Sequence, residues 1–380
     1  MDTYDVAIVG GGPAGSSCAR ALTRAGLRVV VVDKSLFPRD KVCAGWITPQ
    51  VIELLQLDDA YNGVLQPFTG FTAAVGESRA VAVTYDRPVS YGIRRCEFDD
   101  FLLRRCGATL KLGEPLRSLR RHAGLWLLND AISAPLVIGA GGHFCPVAQY
   151  LGASVGRTER AITAQEIEFK ASEAQAEKCT VSNKVPELYF CNDLKGYGWC
   201  LRKGEFFNIG LGREDHRGLT DRLKKFWMWL VSRRKIPNSV HPRFHGHAYL
   251  AWTRSRRLML DDSVLLIGDA AGVAYSESGE GIRPAIESGL IAAQVVCRAG
   301  GDYSRMHLSK YPALLQDRFG AHPTRPPAYV QNATKAIAAR WLMRVPWFVR
   351  HIVLERWFLH MHQSVPLIER IEESIYSGIQ

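Results

Sequence analysis

The sequence predicts an α/β protein: a parallel-sheet domain interrupted by an antiparallel β domain and followed by a C-terminal helical segment. Three observations predict it. Short unbroken apolar runs at residues 6–9, 29–32, 136–138 and 264–267 have the length and β-branched content of strands buried on both faces. Between about residues 160 and 255 the texture changes to short alternating segments, as in an antiparallel sheet. Beyond about Tyr329 the apolar spacing is helical.

The first run leads into Gly10-Gly-Gly12-Pro-Ala14-Gly15, and the second ends at Asp33. Gly10 permits the tight turn out of the strand, Gly12 lets backbone approach a pyrophosphate, and Gly15 lets the next helix pack close. That helix's N-terminus offers free N–H groups to phosphates, and Asp33 is placed to accept from ribose hydroxyls. This block suits any dinucleotide. Far downstream stands Gly268-Asp269-Ala-Ala-Gly272, followed by Gly279-Glu-Gly281-Ile282, and the two blocks together point to FAD.

The remaining elements follow in order. Residues 91–106 read as helical from Phe98 onward, and residues 136–142 as a buried strand ending in a glycine turn. Residues 164–169, 187–191 and 206–211 read as antiparallel strands, and a helix is expected over 283–298. The cofactor domain is therefore discontinuous, 1–160 plus 256–300, with a β-rich substrate domain at 161–255 and a helical region at 301–380. In the last, Pro346 suits the first turn of a new helix, and Arg340 and Arg344 share one helical face. Two readings fit Trp341, Trp347 and Trp357 beside these arginines: an interfacial amphipathic segment over residues 338–360 in peripheral membrane contact, or helices packing their aromatics on the body.

Composition bounds the function. With 47% hydrophobic and 22% charged residues, the 380-residue chain has the balance of a globular protein. No apolar run reaches the ~18 residues of a spanning helix, and the chain enters its first strand at once, so a cytoplasmic protein is expected. Nine scattered cysteines without a CxxC pair argue against structural zinc or a disulfide framework. The net charge is +11, with basic clusters at residues 94–121 and 318–356. This favours an anionic partner, such as acidic lipid or an acidic electron carrier, or is simply a solvated basic face. No nucleic-acid motif is present, and nucleic acid is not expected. His241, His245 and His247 lie close together but lack a Cys or carboxylate at ligand spacing, so no metal is expected. Glu277 and Glu280, in the loop before Gly281, read as acids that shape the site or, more simply, as solvated loop acids.

These blocks resemble the flavoprotein superfamily of aromatic hydroxylases, flavin-dependent halogenases and geranylgeranyl reductases, over roughly residues 1–298. The resemblance implies a Rossmann-type, glutathione-reductase-like FAD domain. Arg95-Cys-Glu-Phe98-Asp99 is similar to the family's R-x-x-F-D, whose Arg reaches the flavin cofactor. Asp269 matches the Asp that binds the ribityl chain, and Gly281-Ile282 the backbone that touches the ring system. Gly141 stands where the hydroxylases carry the acid of a D-G turn, which weighs against direct reduction by NAD(P)H.

Two segments look most like the geranylgeranyl reductases. Pro38-Arg-Asp-Lys41-Val-Cys43-Ala44-Gly45 resembles their flavin-adjacent P-x-x-x-C-G-G, with Ala44 for the first Gly. Tyr197-Gly-Trp199, with Gly210 and Gly212, resembles the Y-x-W-x-F-P…G-x-G that lines their prenyl tunnel, although Leu201 and Arg202 replace Phe and Pro. The resemblance implies reduction of C=C bonds in a prenyl or other lipid-like small molecule, fed by an acidic donor such as ferredoxin. Tyr197 and Trp199 would wall the chain, and Gly210 and Gly212 would leave it room. An unactivated alkene offers no heteroatom to polarise, so a nearby proton source is needed, and the Cys43 thiol is the candidate. Cys43 also reads as a residue that only packs beside the flavin and binds it through backbone. Two alternatives stand: an FAD monooxygenase or halogenase, for which Lys41 is the one candidate relay, and a membrane-associated electron-transfer flavoprotein.

Overall fold

The computed structural model describes residues 1–57, 59–154, 159–215, 217–321 and 333–365, with the side chains of 333–336 excepted. The start of the last helical pattern, near Tyr329, and the tail after residue 365 lie outside the described residues.

A six-stranded sheet forms the base. Its order is Leu260–Asp261, Val264–Leu266, Leu136–Gly139, Val6–Val9, Val29–Asp33, Thr109–Leu112, and only the first pair is antiparallel. The four apolar runs all lie in it. Helices Pro13–Arg24 and Ile282–Arg298 cover it, with Ala14, Cys18, Leu22, Ala292 and Val296 in the same core as Ile8, Val31 and Ile138. A four-stranded layer (Asp2–Thr3, Ile132–Ala134, Leu125–Leu128, Leu119–His122) adjoins it.

The second sheet has seven strands, in the order His245–Tyr249, Ile162–Lys170, Phe206–Arg213, Gly196–Lys203, Glu187–Phe190, Gly70–Val75, Val81–Thr84. It is wider than the expected 161–255 unit, because two strands from residues 70–84 complete it. Glu187–Phe190 pairs with Gly70–Val75 in parallel, the one exception to its antiparallel pattern. Residue alternation gives the sheet two different faces. Ile167, Cys200, Phe207 and Ile209 pack beneath helix Leu219–Ser232 with Trp227 and Leu230. Ala164, Trp199 and Leu201 belong to a second apolar cluster on the other face.

The helix expected from Phe98 begins three residues earlier, as Arg95–Arg104, with Glu97 in its first turn and an Arg95–Asp99 pair across one turn. Pro346 occupies the first turn of helix Pro346–Phe348, which runs into a wide i→i+5 helix, Val349–Phe358. The spacing of Val349, Val353, Leu354 and Phe358 matches that wider pitch, and all four are buried against Phe68, Phe71 and Trp199. Trp357 is half-buried there, whereas Trp341 and Trp347 are 65% and 63% exposed. One set of the segment's residues thus packs on the body, as one of the two readings expects, and another faces solvent.

Candidate functional site

One cavity of about 560 Å³ gathers most of the predicted blocks. The parallel-sheet domain contributes Gly12 and Ala14 at the start of helix Pro13–Arg24 and Asp33 at the end of its strand. Cys43, Ala44, Arg95, Asp269, Gly281 and Ile282 also line it, and the antiparallel sheet brings Tyr197, Trp199 and Gly212.

The first turn needs its glycines. Gly10 has φ +118°, and a Cβ there would lie 2.3 Å from Ala140 O. A Cβ on Gly15 would lie 1.9 Å from Gly10 O. Gly10 and Gly15 therefore shape the turn from behind, while Gly12 opens onto the cavity. Nothing but Arg39 Nη2, at 3.6 Å, would meet a Cβ on Gly12. Helix Pro13–Arg24 begins without a side-chain cap, as does Ile282–Arg298 after Gly281. Their first N–H groups and positive dipole ends are open to an anion or a carbonyl. Asp33 accepts from Gly11 N (2.7 Å) and Ser35 N (2.8 Å), which fixes the carboxylate and leaves lone pairs for hydroxyls. Arg39 Nη1 is buried without a partner among the described residues. A Gly-backed cradle, an orphaned guanidinium N–H and a pinned carboxylate fit a dinucleotide.

Arg95 is buried and makes a two-pronged bond to Asp99, 2.8 Å at both contacts, and Arg39 pairs with the same carboxylate at 3.2 Å. Asp269 faces His247 Nε2 at 3.3 Å, and Lys41 Nζ lies 3.0 Å from His247 Nδ1. Burial lowers the Lys41 ammonium to about 8 against the pull of Asp269, and burial also lowers His247. Burial pushes the Asp269 carboxyl up, but His247 and Lys41 outweigh it, and the group stands below the usual range. His247 therefore belongs to this cavity cluster, while His241 and His245 are exposed.

Cys43 is half-buried and lines the cavity. Its N–H donates to Glu166 Oε1 at 2.6 Å, and its sulfur accepts from Gly45 N at 3.4 Å. Trp199 lies against Gly210, where a Cβ would stand 2.1 Å from the indole Cζ2. Gly210 thus makes room for the indole, and Gly212 is the glycine that lines the cavity. The Tyr197 hydroxyl donates to Ser278 O, and its ring meets Phe358 edge-on at 5.1 Å. Phe358 brings the C-terminal segment into the cavity wall.

One expectation is corrected. Glu277 is exposed, but Glu280 is not a solvated loop acid. The turn closed by Gly279 N to Tyr275 O and Tyr275 N to Glu280 O folds it inward, and both carboxyl oxygens are buried without a hydrogen-bond partner among the described residues. Burial raises this carboxyl to about 8.

Sequence reasoning passed over Arg39, Glu166, Glu168, Lys203 and Asn208. A signal existed for three of them. Glu166 and Glu168 lie two apart in a strand, as do Asn208, Gly210 and Gly212, so polar groups fall in one row on a buried face.

A family model described as FAD dependent oxidoreductase matches residues 5–83. The chain is 27% identical to digeranylgeranylglycerophospholipid reductase of Methanocaldococcus jannaschii over 333 residues, 83% of each chain. It is 31% identical to menaquinone reductase of Mycobacterium tuberculosis over 350 residues, 84% of this chain and 81% of that one. A geranylgeranyl bacteriochlorophyll reductase-like protein of Thermoplasma acidophilum superposes with a TM-score of 0.74 at 20% identity, covering 99% of this chain and 100% of that one.

Proposed function

The chain belongs to the geranylgeranyl reductase family of FAD-dependent oxidoreductases, and from that premise we propose that it reduces C=C bonds in the polyprenyl chain of a lipid-like substrate. The observation that carries the reading is the single cavity in which the dinucleotide cradle and an aromatic wall meet at Cys43 and Ala44. The substrates in the two relatives' names differ in their head groups and share a polyprenyl chain. An apolar wall of Leu188, Phe190, Tyr197, Trp199 and Phe358 suits the shared part.

On this reading Gly12 and Ala14 receive the pyrophosphate with Arg39, over the turn that Gly10 and Gly15 shape, and Asp33 holds the ribose. Arg95, Asp269, Gly281 and Ile282 hold the flavin half, and Cys43 and Ala44 stand beside it. Bound and reduced, FAD supplies the hydride for one alkene carbon. The protein's own tasks are to keep the chain dry, to press it against Trp199 and to place the Cys43 thiol beside the other carbon. Cys43 gives up its proton there as the second C–H bond forms, and solvent restores it.

An acidic, ferredoxin-like donor suits the basic surface. Exposed Trp341, Trp347 and Ile337, beside exposed Arg344 and Arg350, support peripheral contact with an anionic lipid surface from a cytoplasmic protein. No described helix is long and apolar enough to cross a membrane. Lys41 also lines the cavity, where a halogenase relay would stand, but its ammonium is engaged by His247.

The test is anaerobic. The holoenzyme, its flavin reduced by dithionite, is mixed with geranylgeranyl lipid while flavin absorbance and lipid mass are followed. Reoxidation with a gain of two hydrogens per bond is expected. Reoxidation only on admitting oxygen, with turnover of halide or aromatic substrate, would replace this reading with oxygen chemistry.

A further inference from the structure

Behind Cys43 the inner face of the antiparallel sheet carries four buried or half-buried polar side chains that the cofactor does not use: Glu166, Glu168, Lys203 and Asn208. Register places them together, with Glu168 opposite Asn208, Glu166 opposite Gly210, and Asn208 opposite Leu201. Lys203 and Asn208 are wholly buried.

Their hydrogen bonds converge on one loop. Glu166 Oε1 takes the Cys43 N–H at 2.6 Å, and Asn208 Nδ2 donates to Cys43 O at 3.2 Å. Lys203 Nζ donates to Ala44 O at 3.1 Å and Ile93 O at 2.8 Å, and pairs with Glu168. Both backbone polar groups of Cys43 are thus bonded by side chains of the sheet. Asn208 also reaches the other way, because its Oδ1 accepts from Trp199 Nε1 at 2.7 Å. The indole fills the space above Gly210, so it cannot slide along the sheet without pulling on Asn208.

Burying a lysine–carboxylate pair is expensive, and apolar side chains of similar volume commonly give equal or greater stability. The ion pair's own contribution to stability therefore does not call for this cluster. Fixing a loop in one place relative to a wall does.

We propose that Asn208 is a positioning residue that couples the Trp199 wall to the Cys43 loop, with Lys203 and Glu166 pinning that loop at its other points. A chain seated against the indole is thereby set in register with the Cys43 thiol, a consequence that rests on the lipid reading above. The coupling itself does not rest on it.

The test needs no lipid. In FAD-loaded holoenzyme the rate of Cys43 alkylation by iodoacetamide is measured by peptide mass mapping, with Cys179, packed against the opposite face of the sheet, as the internal reference for an intact fold. Wild type, Trp199→Phe, Asn208→Leu and the double variant form a cycle. Each single change is expected to alter the Cys43 rate by about threefold or more, with the double no further from wild type than Asn208→Leu alone. Cys179 should keep its rate. Effects that multiply, or a Cys43 rate that neither change moves, would overturn the proposal. Should Asn208→Leu fail to fold, Asn208→Asp keeps the acceptor for Trp199, loses the donor to Cys43 O and must abolish the effect of Trp199→Phe in the same way. With geranylgeranyl lipid added, Asn208→Leu should lower kcat far more than it raises KM. No lipid turnover in wild type, with the alkylation cycle intact, would reject the substrate and leave the coupling standing.

Discussion

Glu280 offers a stability prediction whose sign and size both follow from its surroundings. Its two oxygens are buried without a hydrogen-bond partner among the described residues, and burial, which outweighs the nearby Arg283, raises the carboxyl from an ordinary 4.5 to about 8. Below about pH 4.5 the folded and unfolded chains both hold the proton, and burial carries no ionisation penalty. Between that point and about pH 8 the unfolded chain releases the proton while the native chain keeps it. The native state then binds more protons, and its stability falls as pH rises; above about pH 8 the loss is complete. The displacement corresponds to an upper bound of roughly 5 kcal/mol, and local relaxation brings the expected figure to about 2–5 kcal/mol. Glu280→Gln removes the titration and keeps the shape. Wild type and variant, both at saturating FAD, are unfolded in urea at about pH 5 and about pH 8.5. The variant's advantage should grow by most of that amount, about 2–4 kcal/mol, between the two. Glu166, which burial raises to about 7, drifts in the same direction but is present in both proteins and cancels. A stability difference that is the same at both pH values would refute the reasoning, since it would mean that Glu280 is ionised in the native protein throughout.

Three further changes test the site. Cys43→Ser should retain FAD, seen in its absorbance, and slow anaerobic reoxidation by prenyl lipid by about 10²-fold or more if the thiol is the proton donor; a rate within about threefold of wild type would leave Cys43 a packing role. Gly210→Ala forces the Trp199 indole out of its seat and should cost about 1–3 kcal/mol in urea unfolding, with a shift in tryptophan emission. Replacing Trp341 and Trp347 together by Ala should weaken sedimentation with anionic vesicles by about tenfold or more and leave flavin binding unchanged, whereas equal partitioning would assign the exposed indoles to another partner.

The four central strands of the parallel sheet were legible because each is a short, unbroken and buried apolar run, so that Val6–Val9 is pattern and placement at once, whereas the edge strands Thr109–Leu112 and Leu260–Asp261 are partly exposed and carry no such run. The second sheet was legible in type but not in extent. Gly70–Val75 and Val81–Thr84 precede the rest of that sheet by many residues, and nothing local says that Glu187–Phe190 will pair with a strand so far back in the chain. The early start of helix Arg95–Arg104 was hidden for a different reason: its first turn is polar, and what secures it is the Arg95–Asp99 pair, which exists only once both side chains are buried.

The site divides along the same physical line. Residues whose role depends on backbone geometry leave a mark in the sequence, because only glycine accepts the turn at Gly10 or the close approach at Gly15. Residues whose role depends on meeting a distant partner leave almost none. Glu280 sits in a glycine-rich loop where acids are ordinarily solvated; its own turn with Tyr275 folds it inward, but Tyr197 beside it and His360 stacked on Tyr275 lie too far away in sequence to foretell the burial. Lys203 and Asn208 lie in strands whose neighbouring residues look like routine alternation. What distinguishes them is that the carbonyls of Cys43 and Ala44, more than 150 residues earlier, arrive against that face with no backbone partner of their own. A buried carbonyl must be satisfied, and a sheet face can do so only with side chains. The polar row at Glu166, Glu168, Lys203 and Asn208 is thus the sheet's answer to a loop docked against it, and on the proposed reading it also holds the Cys43 loop in register with the Trp199 wall.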